Sequence, residues 1–216
     1  MTFENTAGPQ KHQAVALSVG SDQSVFYRCS FKGYQDTLLV HSLRQFYRDC
    51  QIYGTIDFIF GDAAAVFQNC DIFVRRPMDH QSNMITAQGR DDPNENTGIL
   101  IVNSRVAPAS DFRAVKGKCK NYLGRPWKKF SRTVFLKTYL DGSVDKKGWK
   151  EWSGDFSLST LYYAEYMNTS SDGARLLKLW GPICNWSGEG RSPYGGSGAA
   201  PSNFFFIKPQ LVCSFL

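Results

Sequence analysis

The sequence has no uninterrupted apolar run of about 18 residues, the length that a membrane-spanning helix requires. Met1 is not followed by a basic segment and an apolar core, so no signal peptide is visible. The basic residues are scattered, and no run of five or six like charges occurs. This distribution makes nucleic acid the weaker choice among acidic partners. The absences together predict a globular chain without a membrane span.

Motifs of several enzyme classes are also missing. There is no G-x-S-x-G elbow, because the Gly196–Gly198 segment lacks the flanking pattern. The triplets that begin at Asp36 and Asp57 are not the Asp-Thr/Ser-Gly of aspartic proteases. The three histidines lack H-E-x-x-H spacing, the six cysteines lack paired C-x₂-C spacing, and no phosphate-binding glycine loop occurs. We therefore predict no metal site.

The composition that remains is ordinary for a globular protein, with a basic balance. The 216 residues are 42% hydrophobic and 20% charged, which suits one domain with a substantial core. The formal net charge is +6. A basic chain suits an acidic partner, a class that includes nucleic acid, anionic lipid and acidic polysaccharide.

A weak repeat of about 20 residues organises the first half of the chain. Cys29, Cys50 and Cys70 are 21 and 20 residues apart, and each follows an aromatic residue by three positions. An apolar residue lies two positions after each cysteine. The segments Phe3–Thr6 and Ile101–Ser104 continue the pattern in both directions. Stacked segments of this period predict a parallel β-helix, an all-β solenoid with coils about 4.8 Å apart.

The alternative is an α/β protein in which this similarity is coincidental. Crossovers in α/β folds require helices between parallel strands, and no amphipathic helix of about 10 residues separates these segments. One short helix is predicted near the C-terminal end, at Leu158–Met167, with Ser157 or Ser159 near its start.

The repeat places two carboxylates at equivalent positions. Aligning Cys29 with Cys50 also aligns Asp36 with Asp57, because both pairs are 21 residues apart. Stacked carboxylates repel each other, so one of them is expected to hold a proton at neutral pH. Unequal protonation of this kind is what a general acid and a nucleophile require.

Two amides align next to the carboxylates, since Gln13 and Gln35 begin similar segments 22 residues apart. The opposing interpretation is that both carboxylates face solvent, where repulsion is screened. Asp57, however, lies in the almost wholly apolar run Ile56–Gly61. An ionised and partly buried carboxylate needs a partner, which favours a functional site.

A cationic partner is available in the Leu-Gly-Arg-Pro-Trp segment, Leu123–Trp127. The proline after Arg125 favours an extended backbone, and Gly124 allows an unusual turn. A guanidinium pairs with a carboxylate through two hydrogen bonds, and Trp127 offers a flat apolar face. Taken alone, the segment is explained more simply as a surface turn.

Four segments resemble the characteristic motifs of plant pectin methylesterases in order and spacing. They are Gln13–Leu17, Gly33–Leu38, Gly54–Gly61 and Leu123–Trp127. The resemblance runs from about Met1 to Thr169. It implies a right-handed parallel β-helix that hydrolyses the methyl esters of galacturonan in plant cell walls and releases methanol.

The resemblance also assigns catalytic roles to the matching residues. It implies that Asp57 is the nucleophile that forms an acyl-enzyme. Asp36 is implied to protonate the departing methanol as general acid and then to activate water as a base. Gln35 and Gln13 are implied to donate hydrogen bonds to the oxyanion.

Further expectations come from the same resemblance. Arg125 is expected to pair with Asp57, and Arg125, Trp127, Phe60 and Gln13 are the expected substrate-binding residues. The expected partners are methyl-esterified homogalacturonan and a protein inhibitor of these enzymes, and the chain is expected to be a monomer without an organic cofactor.

The resemblance also implies covalent features of a secreted cell-wall protein. A disulfide is expected between Cys50 and Cys70, although the pattern alone does not choose this pair over Cys29 and Cys50. The sequons at Asn168 and Asn185 are candidate glycosylation sites.

We predict a catalytic domain at residues 1–169, with its earliest coils absent, and a tail rich in glycine, serine and proline at 170–216. Within that tail, only Lys178–Trp180 suggests a closing strand. Two other functions stay open: a catalytically silent chain that binds pectin, and a lyase or galacturonan hydrolase on the same solenoid. The lyase is disfavoured because it needs a cluster of calcium-binding carboxylates and a basic catalytic residue.

Overall fold

The computed structural model describes residues 1–115, 117–171 and, for the backbone alone, 173–180. No helix in this part of the chain has the length and apolar character to cross a membrane. The described residues form a 3₁₀ turn (Pro9–Lys11), a short α-helix, α1 (Ser110–Arg113), and eighteen strands. The strands are β1 (Thr2–Glu4), β2 (Leu17–Val19), β3 (Ser24–Tyr27), β4 (Ser30–Lys32), β5 (Leu38–Val40), β6 (Arg44–Arg48), β7 (Gln51–Gly54), β8 (Ile59–Gly61), β9 (Ala64–Gln68), β10 (Asp71–Val74), β11 (Asn83–Gln88), β12 (Gly98–Val102), β13 (Arg105–Pro108), β14 (Asn121–Gly124), β15 (Arg132–Leu136), β16 (Tyr139–Leu140), β17 (Tyr162–Ser170) and β18 (Gly173–Trp180).

Strands from successive coils pair in parallel and build three faces. One sheet, called the site sheet below, has the order β14-β11-β8-β5-β2. The second face is β1-β4-β7-β10-β13-β16, and the third is β3-β6-β9-β12-β15-β17. These two faces are joined because β17 pairs with both β15 and β16. The predicted parallel β-helix is confirmed.

One corner of every coil is built by a residue in the left-handed backbone region. These residues have φ between 49° and 54°, and they are Arg28, Asp49, Asn69, Asn103, Lys137 and Met167. Asp and Asn tolerate this conformation better than most residues do, and they occupy three of the six positions. The next residue in three of the coils is Cys29, Cys50 or Cys70, in register as predicted.

The aromatic residues of the repeat stack inside the coil. The ring centroids of Phe26 and Tyr47 lie 5.0 Å apart, and those of Tyr47 and Phe67 lie 4.5 Å apart. The planes are nearly parallel, at 8° and 9°. Aromatic pairs of this kind add about 0.5–1.5 kcal/mol each beyond the burial of their surface. The aromatic position three residues before each cysteine is therefore an interior packing position.

The helix predicted at Leu158–Met167 is wrong. Leu158 and Thr160 lie in turns, and β17 begins at Tyr162. Arg132 to Leu136 of β15 pair in register with Tyr162 to Tyr166. The open edge of β15 offers backbone partners to the next coil, and this pairing outweighs a local helical pattern.

A closing strand follows Thr169. Gly173–Trp180 forms β18, which pairs antiparallel with β17. The sequence suggested only the last three of these residues as a strand. Most of the predicted tail, residues 181–216, lies outside the described residues, so the division of the chain at residue 169 stays a prediction.

Candidate active site

Asp57 lies at the corner where the chain passes from β7 into β8 of the site sheet. Its φ is 51°, in the left-handed region. Its neighbours Ile56 and Phe58 are buried, and Asp57 itself is only 5% exposed. The apolar run seen in the sequence therefore does bury a carboxylate, and such a group needs a cation or hydrogen bonds to stay ionised.

Arg125 supplies that cation. It follows β14, which is two strands away from β8 on the site sheet. Arg125 Nε donates to Asp57 Oδ1 at 2.9 Å, and Nη2 donates to Oδ2 at 2.7 Å. The Arg125 backbone N–H also donates to the carbonyl of Thr86 in the intervening strand, at 3.0 Å. Asp57 and Arg125 therefore form a two-pronged ion pair, in which two guanidinium nitrogens bond the two carboxylate oxygens. The backbone of Arg125 is held in place by Thr86.

A glycine permits this approach of β14 to β11. A Cβ at Gly124 would lie 2.6 Å from the carbonyl oxygen of Thr86 and would also collide with its Oγ1. Any larger residue at position 124 must shift either the strand that leads to Arg125 or the strand of Thr86. The glycine expected to allow a turn therefore allows close packing of two strands.

Asp36 lies on the adjacent coil, one step from Asp57. Leu38 pairs with Ile59, so the residues two positions earlier are also in register. Asp36 has φ 60° and is 9% exposed. Its backbone N–H donates to the carbonyl of Ile56 at 3.0 Å. Within the described residues, Asp36 forms no ion pair.

The two carboxyls have different electrostatic surroundings. Burial raises the pKa of Asp36 to about 7, with a further contribution from the charge of Asp57, while Arg125 acts in the opposite direction. Burial also raises the pKa of Asp57, but the hydrogen bonds and charge of Arg125 oppose that rise. Because only Asp57 has the guanidinium as a direct partner, Asp57 is the carboxyl that ionises first.

The two glutamines occupy the coil positions that the repeat predicts. Gln13 and Gln35 form a parallel bridge, and the N–H of Ala14 donates to the carbonyl of Gln35 at 3.2 Å. Gln13 is exposed and Gln35 is half-buried. Gln35 directly precedes Asp36, so one turn carries both groups.

Two of the residues predicted to contact substrate are aromatic, and they follow the ion pair closely in the chain, Phe60 three positions after Asp57 and Trp127 two positions after Arg125. The rings of Phe60 and Trp127 meet edge to face at 6.0 Å, and Trp127 is 37% exposed. Trp127 packs over Gly89, where a Cβ would lie 2.8 Å from the indole ring. The structure therefore brings the two predicted aromatic residues together at the site.

The sequence analysis missed Trp152. The guanidinium carbon of Arg125 lies 4.2 Å from the centroid of the Trp152 ring, and the tryptophan is 36% exposed. This contact gives Arg125 a second neighbour besides Asp57. The available signal was a tryptophan within the polar segment 150–155, because an exposed ring in polar surroundings often marks a binding surface.

The two cysteines predicted to form a disulfide lie next to each other. Cys50 and Cys70 are buried free thiols, and a hydrogen bond from Cys70 lowers the pKa of Cys50 to about 7. The two thiols are thus neighbours, and the disulfide between them stays a prediction.

Asn168 is only 1% exposed and accepts a hydrogen bond from the Thr138 N–H at 2.9 Å, so the fold gives no room for a glycan there. Asn185 lies outside the described residues.

Among the residues described, no group of three or more His, Cys, Asp and Glu side chains is arranged to hold a metal ion.

Comparison with known proteins gives one consistent family. A sequence profile named Pectinesterase matches residues 1–187, past the end of the resemblance seen in the sequence. "Probable pectinesterase/pectinesterase inhibitor 36" of Arabidopsis thaliana is 71% identical over 188 residues, which are 87% of this chain and 35% of that protein. "Pectinesterase 2" of Citrus sinensis is 66% identical over 169 residues, 78% of this chain and 33% of the relative.

A solved structure agrees with the sequence comparison. "Pectin methylesterase from Carrot" superposes with a TM-score of 0.78 at 57% identity, and the match covers 79% of this chain and 54% of the carrot chain. The present chain spans about a third of the length of the curated relatives it matches.

Proposed function

Since the chain belongs to the pectinesterase family, we propose that it hydrolyses the methyl esters of homogalacturonan. The proposed products are methanol and a galacturonan with free carboxylates. The observation that carries this proposal is the two-pronged ion pair of Asp57 with Arg125, next to a second carboxyl, Asp36, whose pKa is raised to about 7. One group is thereby kept as a carboxylate and the other is able to hold a proton.

In the proposed first step, an Asp57 oxygen attacks the ester carbonyl carbon. The bond from that carbon to the methoxyl oxygen breaks, and Asp36 transfers its proton to the departing methoxide. Methanol leaves, Asp57 is acylated as an anhydride, and Asp36 becomes a carboxylate. Gln13 and Gln35 stabilise the oxyanion by donating from their side-chain amides.

In the proposed second step, the Asp36 carboxylate takes a proton from water as that water attacks the acyl carbon. The bond from the acyl carbon to the Asp57 oxygen breaks, and Asp57 returns as a carboxylate paired with Arg125. Asp36 is again protonated, and the galacturonate carboxyl leaves. The cycle consumes one ester and one water and needs no oxidant.

The proposed substrate contacts are aromatic and cationic. Trp127 and Trp152 are each exposed by more than a third. Trp152 contacts Arg125, and Trp127 contacts Phe60. Indole rings pack well against the apolar faces of pyranose rings. The net charge of +6 suits a polymer that gains negative charge as its esters are removed.

The setting of this activity is also a proposal. We infer secretion to the plant cell wall and restraint by a protein inhibitor, supported by the family of the chain and by relatives whose names join pectinesterase and pectinesterase inhibitor. The same inference includes a disulfide between the neighbouring thiols of Cys50 and Cys70.

The test is release of methanol from methyl-esterified galacturonan by the wild-type chain and by Asp57→Asn. Removal of a covalent nucleophile is expected to lower kcat by about 10⁴-fold or more. Asp79→Asn is the matched control, because the Asp79 side chain is 87% exposed and its ion pair with Arg76 is long, at 3.9 Å. We expect this control to retain wild-type activity.

Two outcomes would contradict the proposal. Activity that survives in Asp57→Asn would exclude the assigned nucleophile. Retention of the wild-type chain on de-esterified galacturonan, without any methanol release, would instead support a silent pectin-binding protein.

A further inference from the structure

The turn that carries Gln35 and Asp36 is held from a distance by Arg75. This arginine follows β10, and its backbone N–H donates to the carbonyl of Gly54 at 2.8 Å. Gly54 in turn belongs to the coil next to that of the turn. The Arg75 side chain therefore crosses an entire coil to reach the residues that precede Asp36.

The guanidinium uses three nitrogens for three different partners. Nη1 donates to the carbonyl of Gly33 at 3.1 Å, and Nη2 donates to the hydroxyl of Tyr34 at 2.7 Å. Nε pairs with Asp111 Oδ2 at 3.1 Å. The guanidinium carbon also lies 3.8 Å from the centroid of the Tyr34 ring. The planar guanidinium of arginine can donate all three of these hydrogen bonds at once, which no other side chain can.

The other end of the turn has its own anchor. Thr37 Oγ1 lies 3.1 Å from the carbonyl of Tyr34 and 3.0 Å from that of Tyr53. Between the two anchors, Asp36 holds φ 60°, a left-handed conformation that Asp tolerates better than most residues but that still costs free energy. Arg75 supplies the charged contacts that hold this turn, and its side chain is largely buried, at 23% exposure.

We propose that Arg75 is a positioning residue for Gln35 and Asp36, acting through Gly33 and Tyr34. It does not touch the carboxyl of Asp36, so its role is to fix the turn rather than to take part in proton transfer. The catalytic part of this inference rests on the proposed function, whereas the fixing of the turn does not.

The matched pair of variants is Arg75→Gln and Arg76→Gln. Both remove one positive charge at adjacent positions. Arg76, however, is 55% exposed, and its pairing with Asp79 at 3.9 Å is long. Arg75→Lys is the conservative variant, because lysine keeps the charge but cannot donate along the three directions of the fork.

The first measurement is amide hydrogen exchange of the segment 33–38, followed by mass spectrometry. The amides of Gly33, Asp36 and Leu38 are hydrogen-bonded to the adjacent coil. We expect Arg75→Gln to accelerate exchange in this segment by about tenfold or more through local opening. Arg76→Gln and a distant segment such as β12 are expected to be unchanged. Equal exchange in the two variants would overturn the proposal.

The second measurement is the kinetics of methanol release. A displaced acid group is expected to lower kcat by about 10²-fold with little change in KM, and Arg75→Lys is expected to recover part of the loss. A rise in KM alone, or equal losses in Arg75→Gln and Arg76→Gln, would contradict a positioning role in catalysis. If the wild-type chain releases no methanol, the proposed function fails, and hydrogen exchange alone then decides whether Arg75 fixes the turn.

Discussion

Asp36 combines burial, a left-handed backbone and the absence of an ion pair among the described residues. Burial without a cationic partner acts against an ionised carboxylate in the folded state. Asp57 shares the first two but has Arg125 as its partner. The two side chains are chemically identical and burial raises the pKa of both, but the hydrogen bonds of the Arg125 guanidinium oppose that rise at Asp57 alone.

We predict that Asp36→Asn stabilises the fold at pH 8 and leaves its stability unchanged at pH 4. The pKa of Asp36 rises from an ordinary 3.8 to about 7 in the folded chain. The folded state therefore binds the Asp36 proton more tightly than the unfolded state, and wild-type stability falls as pH increases between these values. A rise of this size corresponds to at most about 4 kcal/mol. Relaxation of the surroundings of this buried carboxyl reduces the expected gain to on the order of 1–2 kcal/mol.

The measurement is thermal unfolding of the wild-type chain and the variant at both pH values. Asp79→Asn serves as the control for the loss of a charge, because its side chain is exposed. Equal pH dependence in the wild-type chain and in Asp36→Asn would show that this carboxyl does not titrate as the structure requires.

The sequence could predict the neighbourhood of these residues but not their geometry. The cysteine repeat aligns Asp36 with Asp57 because positions in a solenoid recur with the coil. The residues alone offered Arg125 as one available cation, and its assignment to Asp57 came from the resemblance, since 68 residues separate the partners and no local rule joins them. Trp152 was missed because it belongs to no strand and no repeat, and only the folded chain places it over Arg125.

At the scale of elements, β14 approaches β11 closely within the site sheet. Thr86 Oγ1 donates to the carbonyl of Leu123 at 2.9 Å, and Gly124 leaves no space between the two backbones. Arg125 directly follows this contact. The position of the guanidinium is therefore coupled to the spacing of two strands.

We predict that Gly124→Ala lowers both stability and activity. The new Cβ would collide with the side chain and carbonyl of Thr86, and overpacking of this kind destabilises proteins by about 1–3 kcal/mol. The displaced β14 would also move Arg125, so we expect kcat to fall by about 10²-fold. Thermal unfolding and methanol release measure the two effects.

Gly20→Ala is the matched control, because a Cβ at Gly20 would meet its nearest neighbour, His41 Nδ1, at an ordinary 3.8 Å. If Gly124→Ala were as stable and active as this control, the close approach of β14 to β11 would have no role in placing Arg125.

Elements were predictable wherever the repeat was regular. The strands around Cys29, Cys50 and Cys70 follow from an interior pattern of aromatic, cysteine and apolar positions. The segment 158–167 has no such pattern, and its apolar spacing favoured a helix. The segment instead contributes to β17, which pairs with the open edge of β15. That edge exists only in the assembled coils and cannot be read from the segment.

At the scale of the whole molecule, the chain has 25 basic and 19 acidic residues. We predict that binding to de-esterified galacturonan weakens with salt, because the attraction between a basic surface and a polyanion is screened. If two ionic contacts form, a tenfold increase in salt is expected to lower the affinity by about 25-fold. Binding is best measured with Asp57→Asn, which prevents turnover.

Fully methyl-esterified galacturonan is the control ligand, because it is neutral and keeps the same sugar rings. We expect its affinity to respond little to salt. The same salt dependence for both polymers would mean that the net charge of the chain does not contribute to binding the polyanion.

The left-handed corner divides the molecule into coils of very different length. Counted from the residue after each corner, the steps are 21, 20, 34, 34 and 30 residues, through Cys29, Cys50, Cys70, Ser104, Thr138 and Asn168. Asp36 and Asp57 lie on the two short coils, while Arg125, Trp127 and Trp152 lie on longer ones. Chemistry is thus placed where the chain has no spare length, and recognition where it has. Loops on the longer coils can therefore change in length without altering the short coils that hold Asp36 and Asp57.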